Sequence, residues 1–449
     1  MRSSHILRRG QDDTSLIGLG GLVPVLRLAE QAGLSGLLAQ RVTARTSTDP
    51  VKAVGVIAGI LAGADSIDDL DILRHGAMGT VFAGVRAPST YGTFLRSATA
   101  GTAAQLRAVN TCLLGRLAEA TGMIAVEPRV TWIDIDDTIR EVHGYQKQAA
   151  AYGHTRQLGL NVQLAAISSP GVAPVIAQAR LRRGNTTSLN GADRMVTEAI
   201  GCARHAGVTG PVMVRADAGY YAHKVVSAAL RAGAWFSITV KTNPAVERAI
   251  ASIDADAWTP IRYPQAVWDP EQHRWISDAE VAEVPVFTAF TRSKSVPIGC
   301  RLIVRRVKRL NPQHQPALCE DWRYHGFITN SDLSMIEADQ QHRGHAIIEQ
   351  VIAELKAMAL KHLPSGKYLA NTAWVGYTVI AFNLARAAAH AAGRPTTRWP
   401  SLTRHLITIP ARIIKSARRL WLRFPTRWAW KTQFDTLWNA TGPPTPALS

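Results

Sequence analysis

Three carboxylates far apart along the chain, Asp136, Asp217 and Glu349, sit where a strand or helix pattern would present them for chemistry. Asp136 lies in residues 130–138, an alternating run rich in β-branched and aromatic side chains that reads as a strand, with Asp134 on the same face. Asp217 ends the short apolar run 211–216, and Ala218 and Gly219 then turn the chain. Glu349 belongs to a stretch whose spacing predicts one helix, in which His342, His345, Glu349 and Lys356 share a face. Ile347, Ile348, Val351, Ile352 and Leu355 would bury the remaining arc. Carboxylates brought together repel unless they are protonated or bind a metal. Oxygen ligands of this kind suit Mg²⁺ or Mn²⁺. Two such ions about 4 Å apart can activate a water or a 3′-hydroxyl and stabilise the leaving oxygen of a phosphodiester. Each residue also has a plainer reading: Asp217 as a helix cap, Asp134 or Asp136 as surface residues of an edge strand, the charged stripe as a solvated face.

The elements that must position these residues are legible in chain order. Residues 1–125 read as short helices with tight turns, a DNA-binding domain or a plain helical scaffold; Asp49 followed by Pro50 is a strong helix start. Residues 126–245 change to a mixed α/β pattern: strands at 130–138, 160–168 and 173–181, a helix at 192–205, a strand at 211–216, a helix at 222–231 and a strand at 235–240. Reactive groups collect at strand ends in such sheets. Residues 246–324 form a β-rich, basic insertion, and residues 325–393 return to the core with a strand at 326–330, the Glu349 helix and a long apolar helix at 370–392. From Arg394 to Lys431 there are ten Arg or Lys and no acid, with Trp399, Trp421, Trp428 and Trp430 interleaved. That mixture suits a surface that touches phosphates and stacks on bases; the alternative is tryptophans packed inward under solvated cations.

Composition narrows the partners. The chain has 449 residues and 47% hydrophobic content, enough for a large core, and a formal charge of +18, which points to a polyanion, nucleic acid before anionic membrane. The four cysteines, Cys112, Cys202, Cys300 and Cys319, are scattered and form no C-x-x-C pair, so neither a zinc knuckle nor a disulfide framework is expected. The first eleven residues have no apolar run of a secretory signal, and the apolar segment 51–64 is too short to span a bilayer. A cytoplasmic protein that associates with DNA and not with membrane is the expectation.

Taken together, the ordered motifs resemble the DDE transposases of bacterial insertion sequences, and insertion-sequence group 1380 most of all. The matching pieces are Ile133-Asp134-Ile135-Asp136-Asp137-Thr138, His143-Gly144, Val214-Arg215-Ala216-Asp217, Ile328-Thr329-Asn330 and His342-Arg343-Gly344-His345-Ala346-Ile347-Ile348-Glu349. The resemblance implies an α/β, ribonuclease-H-like catalytic core with a β-rich insertion, an N-terminal helical domain and a basic C-terminal segment. It places the metal-binding triad on Asp136, Asp217 and Glu349, with Asp134 the competitor for the first position, and the signature lysine on Lys356. His342 and His345 stand where the family's signature has Tyr and Arg; imidazoles grip phosphate more weakly near neutral pH, and Arg343 is the available substitute. DNA contacts are expected from His342, Arg343, His345 and Lys356, and from Arg418 and Arg419 in the basic tail. The implied activity is binding of terminal inverted repeats, cleavage with two Mg²⁺ (or Mn²⁺) ions, and joining of the 3′-hydroxyl ends to target DNA by a homodimer. The rival readings are a nuclease of the same core that cuts without joining, and a DNA-binding derivative without catalysis.

Overall fold

The computed structural model describes residues 10, 13–43, 49–125, 130–143, 147–153, 155–261, 267–269, 274–276, 279–291, 295–308, 322–416 and 419–442. A two-residue strand, β1 (Leu16–Ile17), leads into six helices: α1 (Leu22–Gln31), α2 (Leu34–Arg41), α3 (Pro50–Leu61), α4 (Met78–Val81), α5 (Pro88–Arg96) and α6 (Ala100–Thr121). Their ends follow local chemistry. The Asp49 side chain accepts from the backbone N–H groups of Val51 and Lys52, and Pro50 supplies the first turn of α3. Thr99 and Thr102 cap α6 reciprocally, and Gly122 closes it in the left-handed region at φ 71°.

The next elements are β2 (Thr131–Glu141), β3 (Ala151–Tyr152), β4 (Leu158–Ser168), β5 (Val175–Arg183), α7 (Ala192–His205), β6 (Val212–Ala216), α8 (His223–Arg231), β7 (Trp235–Thr239) and α9 (Pro244–Ala251). β5, β4 and β2 run antiparallel in that order, and β6 and β7 then add in parallel to β2. The insertion contributes β8 (Thr259–Ile261), β9 (Val267–Asp269), β10 (Arg274–Ile276), β11 (Ala279–Ala289) and β12 (Ile298–Lys308), and β13 (Trp322–Thr329) follows. β13 pairs antiparallel with β7, so β12, β11 and β8 prolong the central sheet, and a single ten-stranded sheet results.

After the sheet come α10 (Met335–Arg343), α11 (Ile347–Ala357), α12 (Tyr368–Ala391), α13 (Trp399–Leu402), the hairpin β14 (Ala411–Ser416) and β15 (Arg419–Arg423), and α14 (Lys431–Ala440). α12 is buried around nearly its whole circumference, because α1, α3, α5 and α6 pack on it from one side and β5 from another. Asn383 on α12 and Asn110 on α6 bond each other and the backbone of Ile176, so the free edge of β5 is covered. β1 pairs with β14, which ties the start of the described chain to the C-terminal hairpin. One hydrophobic cluster runs from Ile17 to Leu437 through the N-terminal helices, the sheet and the C-terminal segment, so the N-terminal helices share their core with the rest. Among the described residues no single helix is long and apolar enough to cross a membrane; the bent pair α1 and α2 passes that test only jointly, and its apolar side chains face the core.

Candidate active site

β2 and β6 are parallel neighbours, with Ile135 opposite Ala216 in register. The next residue on each strand is an aspartate. Asp136, midway along β2, and Asp217, just past the carboxyl end of β6, therefore stand side by side where the parallel pairing stops, with strand spacing of about 4.8 Å. Their mutual influence is visible in the ionisation of Asp136. Burial, followed by repulsion from Asp217, outweighs the hydrogen bond from the Asp137 N–H and pushes its carboxyl up to about 6. Asp217 is exposed, and one of its oxygens accepts the Gly219 N–H at 2.9 Å. It does cap the short turn after β6, yet its other oxygen stays open. Neither aspartate has an ion-pair partner among the described residues.

The two neighbouring acids on β2 are consumed by the fold. Asp134 is fully buried; Arg215 clamps both its oxygens at 2.7 Å, Ser168 donates to one at 3.1 Å and His345 Nδ1 to the other at 3.0 Å. Burial alone would raise its pKa, but the charge of Arg215 and the bonds from His345 and Arg215 hold it below the usual carboxylate range. Asp137 points to the opposite face, where Arg182 and Asn161 hold it and Ser188 donates at 3.3 Å. Asp136 is thus the one acid of β2 between 134 and 137 that no cation holds.

The expected single helix from His342 to Lys356 is in fact two. α10 ends at Arg343, residues Gly344–Ala346 form a 3₁₀ turn, and α11 begins at Ile347. The cause lies on β6. Arg215 reaches across and donates to the Gln341 carbonyl at 2.6 Å, and its guanidinium lies against Gly344, where a Cβ would come within 2.5 Å of Nη1. Trp132 on β2 donates to the Gln341 side chain at 2.6 Å. The sheet therefore pins the end of α10, and the helix axis restarts for α11.

The break redistributes the histidines, correcting their expected alignment with Glu349. His342 lies flat on Phe327, with ring centroids 4.0 Å apart, and its two nitrogens engage the hydroxyls of Ser237 at 2.8 Å and Thr239 at 3.0 Å. Burial, with neighbouring cations, drives its pKa well down, so it is neutral and has no ring nitrogen left for a phosphate. Arg343 pairs with the buried Asp339, which Arg305 also contacts. His345 is the second cation-capable partner of Asp134. In the fold both side chains anchor α10 to the sheet and to Asp339.

α11 packs on β2 and β4 on the face that carries Asp134 and Asp136, since His345 just before it reaches Asp134. Lys356 is half-buried on this helix; burial lowers its pKa, the charge of Arg140 adds to that, and nearby Asp136 works against both. Glu349 is exposed in the first turn of α11. Among the described residues no three His, Cys, Asp or Glu side chains gather closely enough to hold a metal ion; Asp136 and Asp217 stand as an adjacent pair, and Glu349 is carried by α11 over β2 and β4. The pair itself fits a hard divalent cation: two adjacent acids, each with an uncommitted oxygen, lacking any fixed counter-charge.

Sequence reasoning passed over three buried partners: Arg215, Arg182, and the Glu354–Arg386 pair that joins α11 to α12 at 2.8 Å. The available signal was a cation in an otherwise apolar strand or helix, which must find a carboxylate. Arg418 and Cys319 lie outside the described residues, and Arg419 is exposed at the start of β15.

Residues 8–441 match the family described as transposase DDE domain group 1. Among solved structures, the cryo-EM piggyBac transposase synaptic complex with hairpin DNA overlaps this chain at 12% identity and a TM-score of 0.43, covering 85% of this chain and 79% of the other. No curated protein matches.

Proposed function

The chain belongs to the transposase DDE domain group 1 family, and we propose that Asp136, Asp217 and Glu349 are the carboxylates with which this transposase cuts the ends of its element and joins them to target DNA. The observation that carries the reading is the register that sets Asp136 beside Asp217, neither in an ion pair, where the parallel pairing of β2 and β6 stops. The strand order β5-β4-β2 antiparallel, then β6 and β7 parallel, supports a ribonuclease-H-like core as its frame.

In this reading the three carboxylates would hold Mg²⁺ or Mn²⁺, two ions in the full site, which supply a deprotonated attacking oxygen and neutralise the leaving one. The protein's own residues do the rest. Asp136, pushed up to about 6, is largely ionised near neutrality and would offer its carboxylate to the cation. Lys356, beside Asp136 on α11, supplies a positive charge to a phosphate entering from that face. Asp134 and Arg215 fix the junction of α10 and α11, and so the height of Glu349 above the sheet. The partners are the terminal inverted repeats, the target DNA and a second protomer.

The test is cleavage of DNA carrying the element's ends in Mg²⁺, beside a binding assay. Asp217→Asn should abolish cleavage and leave binding within about twofold; a pre-cleaved end offered to the wild type should be joined to target DNA. Cleavage without joining would leave a nuclease. The exposed position of Glu349 favours a second reading, a DNA-binding derivative without catalysis, and for that protein Asp217→Asn changes nothing.

A further inference from the structure

The basic tryptophan-rich segment divides in the fold. Trp399 is buried on Phe382, Trp428 donates to the His405 carbonyl, and Trp430 stacks on the His405 ring at 3.6 Å. Trp421 alone of these four is half exposed, at 50%.

It lies on the hairpin β14–β15, whose register separates two faces. Ile413 and Leu422 pair and turn inward to the core. On the outward face the pairs are Arg412 with Arg423, Ile414 with Trp421, and Ser416 with Arg419. Two features of this face are costly in a free protein. Ile414 and Trp421 are left 40% and 50% exposed side by side, and two arginines stand directly opposite each other. Asp13 neutralises Arg412 at 2.9 Å and Arg423 lies over the Trp421 ring at 5.7 Å, but Arg419 and Arg423 have no carboxylate partner among the described residues. The arginines bracket the apolar pair, and no acid occurs between 394 and 431.

We infer that the outward face of β14–β15 is a DNA-docking ribbon, in which Arg419 and Arg423 meet phosphates while Trp421, backed by Ile414, stacks on an unpaired base. A two-stranded ribbon has the width of a major groove. Base stacking on an aromatic ring tolerates any sequence. The inference rests on the transposase reading above and adds to it which surface holds the DNA.

Full-length protein titrated with a fully paired duplex and with the same duplex bearing a short 3′ overhang tests it, across about 50–200 mM salt. Arg419→Gln/Arg423→Gln should weaken both complexes and lower the slope of log affinity against log salt by about 2. Trp421→Ala should weaken the overhang complex about 5- to 100-fold and the paired one less, and Trp421→Phe should restore most of the loss. Variants that keep wild-type affinity and slope on both DNAs would overturn the ribbon. So would variants that alter only the oligomeric mass, since the face would then join two copies of the chain. A wild type that binds neither DNA would sink the transposase reading and the ribbon together, a result distinct from wild-type binding that the variants fail to change.

Discussion

Replacing Asp136 with asparagine should make the folded protein more stable and leave it unable to cleave DNA. The carboxyl is pushed from 3.8 to about 6 by burial and by Asp217, so ionising it in the fold is costly. At about 1.4 kcal/mol per pH unit, that cost approaches about 3 kcal/mol once Asp136 is fully charged. The sign follows from linkage. An acid whose folded pKa is raised keeps its proton longer in the fold, so its contribution is fully favourable below the unfolded pKa. It is lost as pH climbs from about 4 to above 6. Asparagine has nothing to ionise, so its advantage over the wild type should be near zero below about pH 4, about 1.5 kcal/mol at pH 5 and about 3 kcal/mol at pH 7.5. Urea titrations at pH 5 and pH 7.5 in a chelating buffer measure both values. With Mg²⁺ in place of the chelator the wild type should recover stability by mass action and the variant should not. A gain that ignores pH, or a loss of stability at pH 7.5, would show that Asp136 is not the strained, unpaired acid described here.

Two further substitutions probe the supports. Arg215→Met strands Asp134 in the interior with only Ser168 and His345 bonded to it, and should cost about 3–5 kcal/mol in denaturant midpoint measurements. Adding Asp134→Asn to it should return much of that loss, because no buried charge is then left alone. His342→Phe keeps the ring on Phe327 but leaves the Ser237 and Thr239 hydroxyls unpaired, a cost of about 1–3 kcal/mol with the salt dependence of DNA binding unchanged. A shallower salt slope would instead mean that His342 meets phosphate.

Much of the architecture can be read along the chain because its signals are local. The helix at 192–205 emerges with its expected limits and the strands on either side within two residues of theirs, since caps, periodicity and apolar runs lie within the segments they describe. The break at Gly344 does not. The apolar spacing of Ala338, Ile348, Val351 and Leu355 carries a helical period on both sides of it, and its cause is Arg215, 126 positions from the carbonyl it binds. The continuation of the central sheet into the insertion is hidden for the same reason: it depends on β13 choosing β7 as partner. In the tail, composition could not separate Trp421 from Trp399, Trp428 and Trp430, because charge spacing alone does not say which ring lies under the cations.

The choice between Asp134 and Asp136 shows how a fold assigns roles to side chains of one type. Both project from the same face of β2, two residues apart, and the strand pattern does not separate them; only the resemblance, through Thr138 two residues on, points to Asp136. What differs is the company each keeps. Asp134 sits deeper and is met by a guanidinium, an imidazole and a hydroxyl, which together outweigh the cost of its burial and leave both oxygens occupied. Asp136, two residues further along β2, accepts a backbone N–H and feels the repulsion of Asp217 and Asp137, with His345 nearby but no cation bound to it. The pair at Asp134 stabilises the junction that carries Glu349. The pair at Asp136 and Asp217 stores an unfavourable charge that a cation would relieve. Neutralising the first aspartate so completely is therefore what makes the second one available, and the stabilising effect of Asp136→Asn should have no counterpart at Asp134. There the same substitution leaves Arg215 buried without its carboxylate and should destabilise the protein at every pH from 5 to 8.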